Sequence, residues 1–149
     1  MKHLILIILI QFSFICFGQE SIENNGEMCR LLNEMINNDQ LYRSGEILGG
    51  SFGTENNSSK KEIDSVWSLQ IEIDNRNTEK LIGLTKKYGW ISDERIDCPK
   101  LNIWLIFRHS QKKYFPEILE LITKEHEAKR LNDFHYRLIK NHLEGRPKM

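Results

Sequence analysis

The stretch "FRHSQKKYFP" at 107–116 places Arg108 and His109 at the end of the apolar run "LNIWLIF". Histidine is the side chain best suited to proton transfer near neutral pH, and as a general base it needs a neighbour to orient it. Two carboxylates stand at positions that could serve. Asp39 extends the helical series Met28, Leu31, Leu32, Met35 and Ile36, and Arg43 lies one turn further on. Asp74 closes a second series, Ile63, Val66, Trp67, Gln70 and Ile71. If these positions converge, Asp74 or Asp39 orients His109 as an acid–base group, and Arg43 binds an anionic or carbonyl oxygen. That is equipment for a hydrolase or lyase, or for a polar cleft that binds a ligand without reaction.

The common feature is polar residues where a helical stripe calls for apolar ones. His109 follows Leu105 by one turn, and Arg108 follows Trp104. His126 follows Ile122, while His135 and His142 fall within Leu131, Phe134, Leu138 and Ile139. Polar groups on core-facing stripes cost free energy unless they are hydrogen-bonded or paired. The alternative to a site is therefore a satisfied structural network inside a purely structural or interaction protein, and on this reading Asp39 with Arg43 is an ordinary i, i+4 pair.

Other chemistries find little support. No serine sits in a G-x-S-x-G turn, and neither Cys29 nor Cys98 has a recognisable catalytic context. "HEAKR" at 126–130 has Arg130 where H-E-x-x-H requires histidine, and His135 and His142 stand about 10 Å apart along a helix. No metal or other cofactor is expected. "GGSFG" at 49–53 lacks the strand before it and the Gly-Lys-Ser/Thr ending of a phosphate-binding loop.

The first residues, "MKHLILIILIQFSFICFGQE", read as a leader. Lys2 precedes an apolar run over 4–17 interrupted by Gln11 and Ser13, and small residues stand at Cys16 and Gly18. The run is shorter than the ~20 residues of a membrane-spanning helix. Phe14 and Ile15 are too bulky for Cys16 to be a lipidation site. A signal peptide over 1–18 is expected to be cleaved, with export to the periplasm or beyond. Removing 18 of the 149 residues leaves 131, enough for one domain with its own core. Losing Lys2 leaves 20 basic residues against 21 acidic, so no charge excess points to nucleic acid or, after cleavage, to a membrane. Of the cysteines, Cys29 and Cys98 remain. Export permits a bridge between them, but two separate buried thiols is the simpler expectation.

Around these residues the pattern is helical. The three stripes above each mark an amphipathic helix. A further helix is expected from Thr78 as N-cap to Lys87, stopped by Gly89. Another should begin near Pro116 and carry Ile118, Leu119, Leu121 and Ile122. Residues 101–107 read as a buried central helix beginning near Asp97, Cys98 and Pro99. The expected fold is all-α: one compact domain, 19–149, of about six helices, with a long Gly/Asn/Ser-rich loop at 44–61.

"DQLYR" at 39–43, the series Trp67, Gln70, Asp74 and Asn77, "YGW" at 88–90 and "RHS" at 108–110 together resemble an uncharacterised bacterial family, a domain of unknown function. The resemblance implies a helical, often exported or lipid-anchored protein. It also implies that Asp39, Gln40, Arg43, Trp67, Gln70, Asp74, Asn77 and His109 form one set. It brings no reaction. Many members continue past a Gly-x-Pro with a tail containing Gln, Tyr, Gly and Thr, whereas "GRPKM" here does not. The expected function is a monomeric, exported helical domain that binds a small ligand or a protein partner through these residues and Arg108.

Overall fold

The computed structural model describes residues 19–43 and 59–146, and the leader and most of the 44–61 loop lie outside the described residues. The fold is all-α, with six helices and no strand among the described residues.

Helix α1 (Asn25–Gln40) starts where the Asn24 side chain accepts from the Glu27 N–H, satisfying one of the free donors of a helix start. It buries Met28, Leu32, Met35 and Asp39 along one stripe. Helix α2 (Lys60–Tyr88) opens on a reciprocal capping box between Ser59 and Glu62 and ends at Gly89. The Gly89 backbone has φ 76°, a conformation that disfavours any residue with a Cβ, and its N–H bonds the Thr85 carbonyl.

The expectation of two helices here is overturned. Residues 60–88 form one helix of 29 residues, and Thr78 is fully buried in its middle rather than capping a new start. Gln70, Asp74, Thr78, Leu81, Ile82 and Thr85 make one continuous buried stripe, and no proline interrupts it. Trp67 is a further correction: it is 42% exposed rather than core. The buried stripe begins only at Gln70, and no residue of the preceding turns, from 60 to 69, is buried.

Beyond α2, Ser92 caps the short α3 (Asp93–Ile96), which the sequence pattern did not suggest. Asp97 is its left-handed C-cap, not the start of the next helix, and Lys100 is also left-handed. The central helix is therefore shorter than expected. It is α4 (Trp104–Arg108), approached by an irregular segment that buries Leu101 and Ile103. A 3₁₀ turn (Lys112–Tyr114) leads into α5 (Phe115–Glu127), with Pro116 in its first turn as expected. Asn132 caps the last helix, α6 (Asp133–Leu143).

Short as it is, α4 is the hub, packing against α1, α2 and α6. Ile106 and Phe107 are buried there, with Leu32, Leu81, Ile91, Ile118, Ile122 and Ile139 around them. Burial of such side chains stabilises by roughly 1.5–3 kcal/mol each. No helix among the described residues is long and apolar enough to cross a membrane.

Two cross-links complete the frame. Cys29 of α1 and Cys98, just beyond α3, form a disulfide with 5.6 Å between Cα atoms, contrary to the expectation of separate thiols. The Asn33 amide donates to the Cys29 carbonyl and lies 3.3 Å from Cys98 Sγ. On the other side, fully buried Glu125 accepts from Arg130 Nε and Nη2, from the Trp90 N–H and from the Gln19 amide. Burial pushes the Glu125 pKa up, but these donors outweigh it and hold the carboxyl below its usual range.

Candidate functional site

The polar residues predicted from the helical stripes come together. α1 ends with Asp39 fully buried against the end of α4. His109 Nδ1 lies 3.0 and 2.9 Å from the two Asp39 carboxylate oxygens. A carboxylate there accepts, so Nδ1 carries a proton, and in the neutral ring Nε2 is the nitrogen with the lone pair. The Gln40 amide also donates to Asp39, at 2.5 Å.

Arg43 bridges α1 and α2. Its two Nη atoms donate to the two oxygens of Asp74 at 2.9 and 2.6 Å, and Nη1 also reaches the Asp39 carbonyl at 2.6 Å. The bidentate geometry fixes orientation as well as charge. Gln70 completes the knot. Its amide nitrogen donates to the Asp39 carbonyl and to Asp74 Oδ1, and its oxygen accepts from the Tyr42 N–H. One turn along, the Asn77 amide donates to the Met35 carbonyl, tying the helices together without touching the knot.

Thus Asp39, Gln40, Arg43, Gln70, Asp74 and His109 form one network, and Asn77 supports it from beside. Asp39, rather than Asp74, is the carboxylate that holds His109. Arg108 does not join: its guanidinium lies 6.0 Å from the centre of the Trp104 ring. Trp67 reaches the same region as an exposed wall rather than as a network member.

The network forms the floor of a cleft of about 490 Å³, walled by Trp67, Ile71, Phe115, His142 and Arg146. The His109 side chain is 18% exposed and lines it. No protein partner for Nε2 is found among the described residues. His142, one of the stripe histidines, joins the cleft lining although its spacing alone does not place it in the site. Its Nε2 pairs with the Ser110 carbonyl at 3.1 Å, and Phe115 meets its ring edge-on. Burial lowers the His142 pKa, and the nearby charges of Arg146, His109 and Arg108 act in the same direction. Arg146 carried no periodic signal, because it follows the end of α6. Among the described residues, no group of three His, Cys, Asp or Glu side chains is placed to hold a metal ion.

No protein family's sequence profile matches this chain, and no curated protein and no solved structure gives a significant match.

Proposed function

We propose that this chain is an exported helical domain that binds a small ligand in the cleft above His109. The observation that carries the reading is the convergence of Asp39, Arg43, Gln70, Asp74 and His109 from three chain segments beneath an open cleft. A purely structural network would satisfy its members internally and needs no cleft. Here the knot leaves an imidazole edge and an exposed tryptophan beside open space. The leader and the Cys29–Cys98 bridge support export, since disulfides persist in oxidising compartments. The resemblance of the motif order to an uncharacterised bacterial family is a further reason to treat these residues as one set.

A thermal-shift screen of small molecules on the purified protein tests this. Compounds that raise the melting temperature of the wild type should lose that effect in His109→Ala, with the variant still folded. Equal shifts in both proteins would sink the assignment of the cleft.

One observation favours a second reading, in which the bound molecule is also turned over. Asp39 accepts from His109 Nδ1, so the neutral ring presents its Nε2 lone pair, the arrangement of a general base. A panel of ester, amide and β-elimination substrates tests it. Any activity should fall by about 10²–10⁴-fold in His109→Ala, and activity untouched by that substitution would refute this role.

A further inference from the structure

We infer that the ligand of this cleft is a small organic acid, its carboxylate or phosphate held by Arg146 and Lys112 and its apolar body lying against Trp67 and Ile71. The inference rests on the cleft reading and adds the chemical class of the ligand. The charge of the lining is its first support. Among the described residues, Asp74 is the one carboxylate that lines the cleft, and it is already in bidentate contact with Arg43. Lys112 and Arg146 also line the cleft, and neither has a carboxylate partner among the described residues.

Arg146 is also positioned rather than free. After α6 the chain reverses through two left-handed residues, Gly145 (φ 84°) and Arg146 (φ 57°). The Arg146 N–H bonds the Asn141 carbonyl at 2.7 Å. A left-handed backbone at arginine is unfavourable by itself and persists where the surroundings hold it. Arg146 Nε then donates to His142 Nδ1 at 3.3 Å. For Nδ1 to accept, the His142 proton must sit on Nε2, where the Ser110 carbonyl takes it. A chain of contacts thus runs from the end of α4 through His142 to Arg146. Among the described residues the two Nη groups of that guanidinium have no partner, and as a fork they match a carboxylate or a phosphate.

The same lining carries exposed apolar side chains. Trp67 is 42% and Ile71 38% accessible, on the turns of α2 that face the cleft. An acid with a flat or branched apolar body would cover both. His109 also lines the cleft and would meet the polar end of such a molecule.

The test uses three probes: benzoate, phenyl phosphate and, as the neutral counterpart, benzamide. Affinities are read by ¹H–¹⁵N chemical-shift titration of the purified protein and of Arg146→Gln and Lys112→Gln. At least one acid should bind the wild type about tenfold more tightly than benzamide, with shifts at His109 and His142. It should weaken about tenfold in Arg146→Gln while benzamide does not, as expected for loss of one charged contact. Which acid binds more tightly identifies the carboxylate or the phosphate. Benzamide binding as well as both acids, with wild type and variants alike, would overturn the anionic assignment and leave the cleft reading standing. Binding of no probe at millimolar concentration would overturn both. Both substituted side chains are surface cations, and should Arg146→Gln melt early, Lys112→Gln decides by the same comparison.

Discussion

At the scale of single residues, the Arg43–Asp74 pair and Trp67 make opposite predictions. Asp74 is almost fully buried and Arg43 largely so. Arg43→Met would leave the Asp74 carboxylate with the Gln70 amide as its one donor among the described residues. Removing one partner of a buried pair is strongly destabilising, and about 3 kcal/mol is expected here. A urea midpoint equivalent to a loss under about 1 kcal/mol would show that water replaces the guanidinium. Trp67→Ala, by contrast, removes an exposed ring and should cost no more than about 0.5 kcal/mol. It should still weaken ligand binding. A loss of several kcal/mol would instead restore the core position that its helical spacing implied. The site was legible in the sequence to this extent: polar residues on apolar stripes marked Asp39, Gln70, Asp74 and His109 as inward-facing. What spacing could not convey is the partner of each, because Asp39 and His109 are 70 positions apart. Periodicity also passes over a residue in α5. His126, one turn after Ile122, is a partly buried boundary residue, whereas Glu125, one turn after Leu121, is fully buried and carries no such signal. A glutamate reads as surface until Arg130 is seen beside it.

At the scale of elements, the helices of long amphipathic pattern were readable, and the errors fell where local signals competed with packing. Thr78 has the chemistry of an N-cap, but the continuous stripe of α2 against α1 and α4 overrides it. α3 has a single turn and so no period to detect, and its presence shortens the central helix from the front. The disulfide belongs to this scale as well, since it joins α1 to the turn after α3, across 69 positions. Nothing in the spacing of two cysteines specifies that approach. Closing a loop of that length should contribute about 4 kcal/mol through the unfolded chain. Reduction, or Cys29→Ala with Cys98→Ala, should therefore lower the unfolding free energy by roughly that amount. Thiol titration of the unreduced, denatured protein should find neither Cys29 nor Cys98 free. Finding both reactive would remove the bridge and with it the best structural support for export.

At the scale of the whole molecule, near-neutral net charge means that acid, rather than self-repulsion at neutral pH, should be what unfolds the domain. Two windows are expected. Burial lowers the pKa of His135 and of His142 below the ordinary 6.5. The unfolded chain then binds protons that the folded one refuses, so stability should fall as pH drops below about 6.5 and level off once the folded histidines titrate. Glu125 acts at lower pH. Burial raises its pKa, but its contacts with Arg130, Trp90 and Gln19 more than offset that and hold it below the ordinary 4.5. The stability it contributes is complete above 4.5 and is lost as pH falls through its folded pKa. Urea unfolding measured from neutral pH downward should therefore decline in two steps. Replacing His135 and His142 with phenylalanine should flatten the upper step and leave the lower one. Glu125→Gln should lower stability at neutral pH, because Arg130 loses its carboxylate, and should remove much of the lower step. A single decline unaffected by Glu125→Gln would mean that the buried Glu125–Arg130 pair is not what acid breaks.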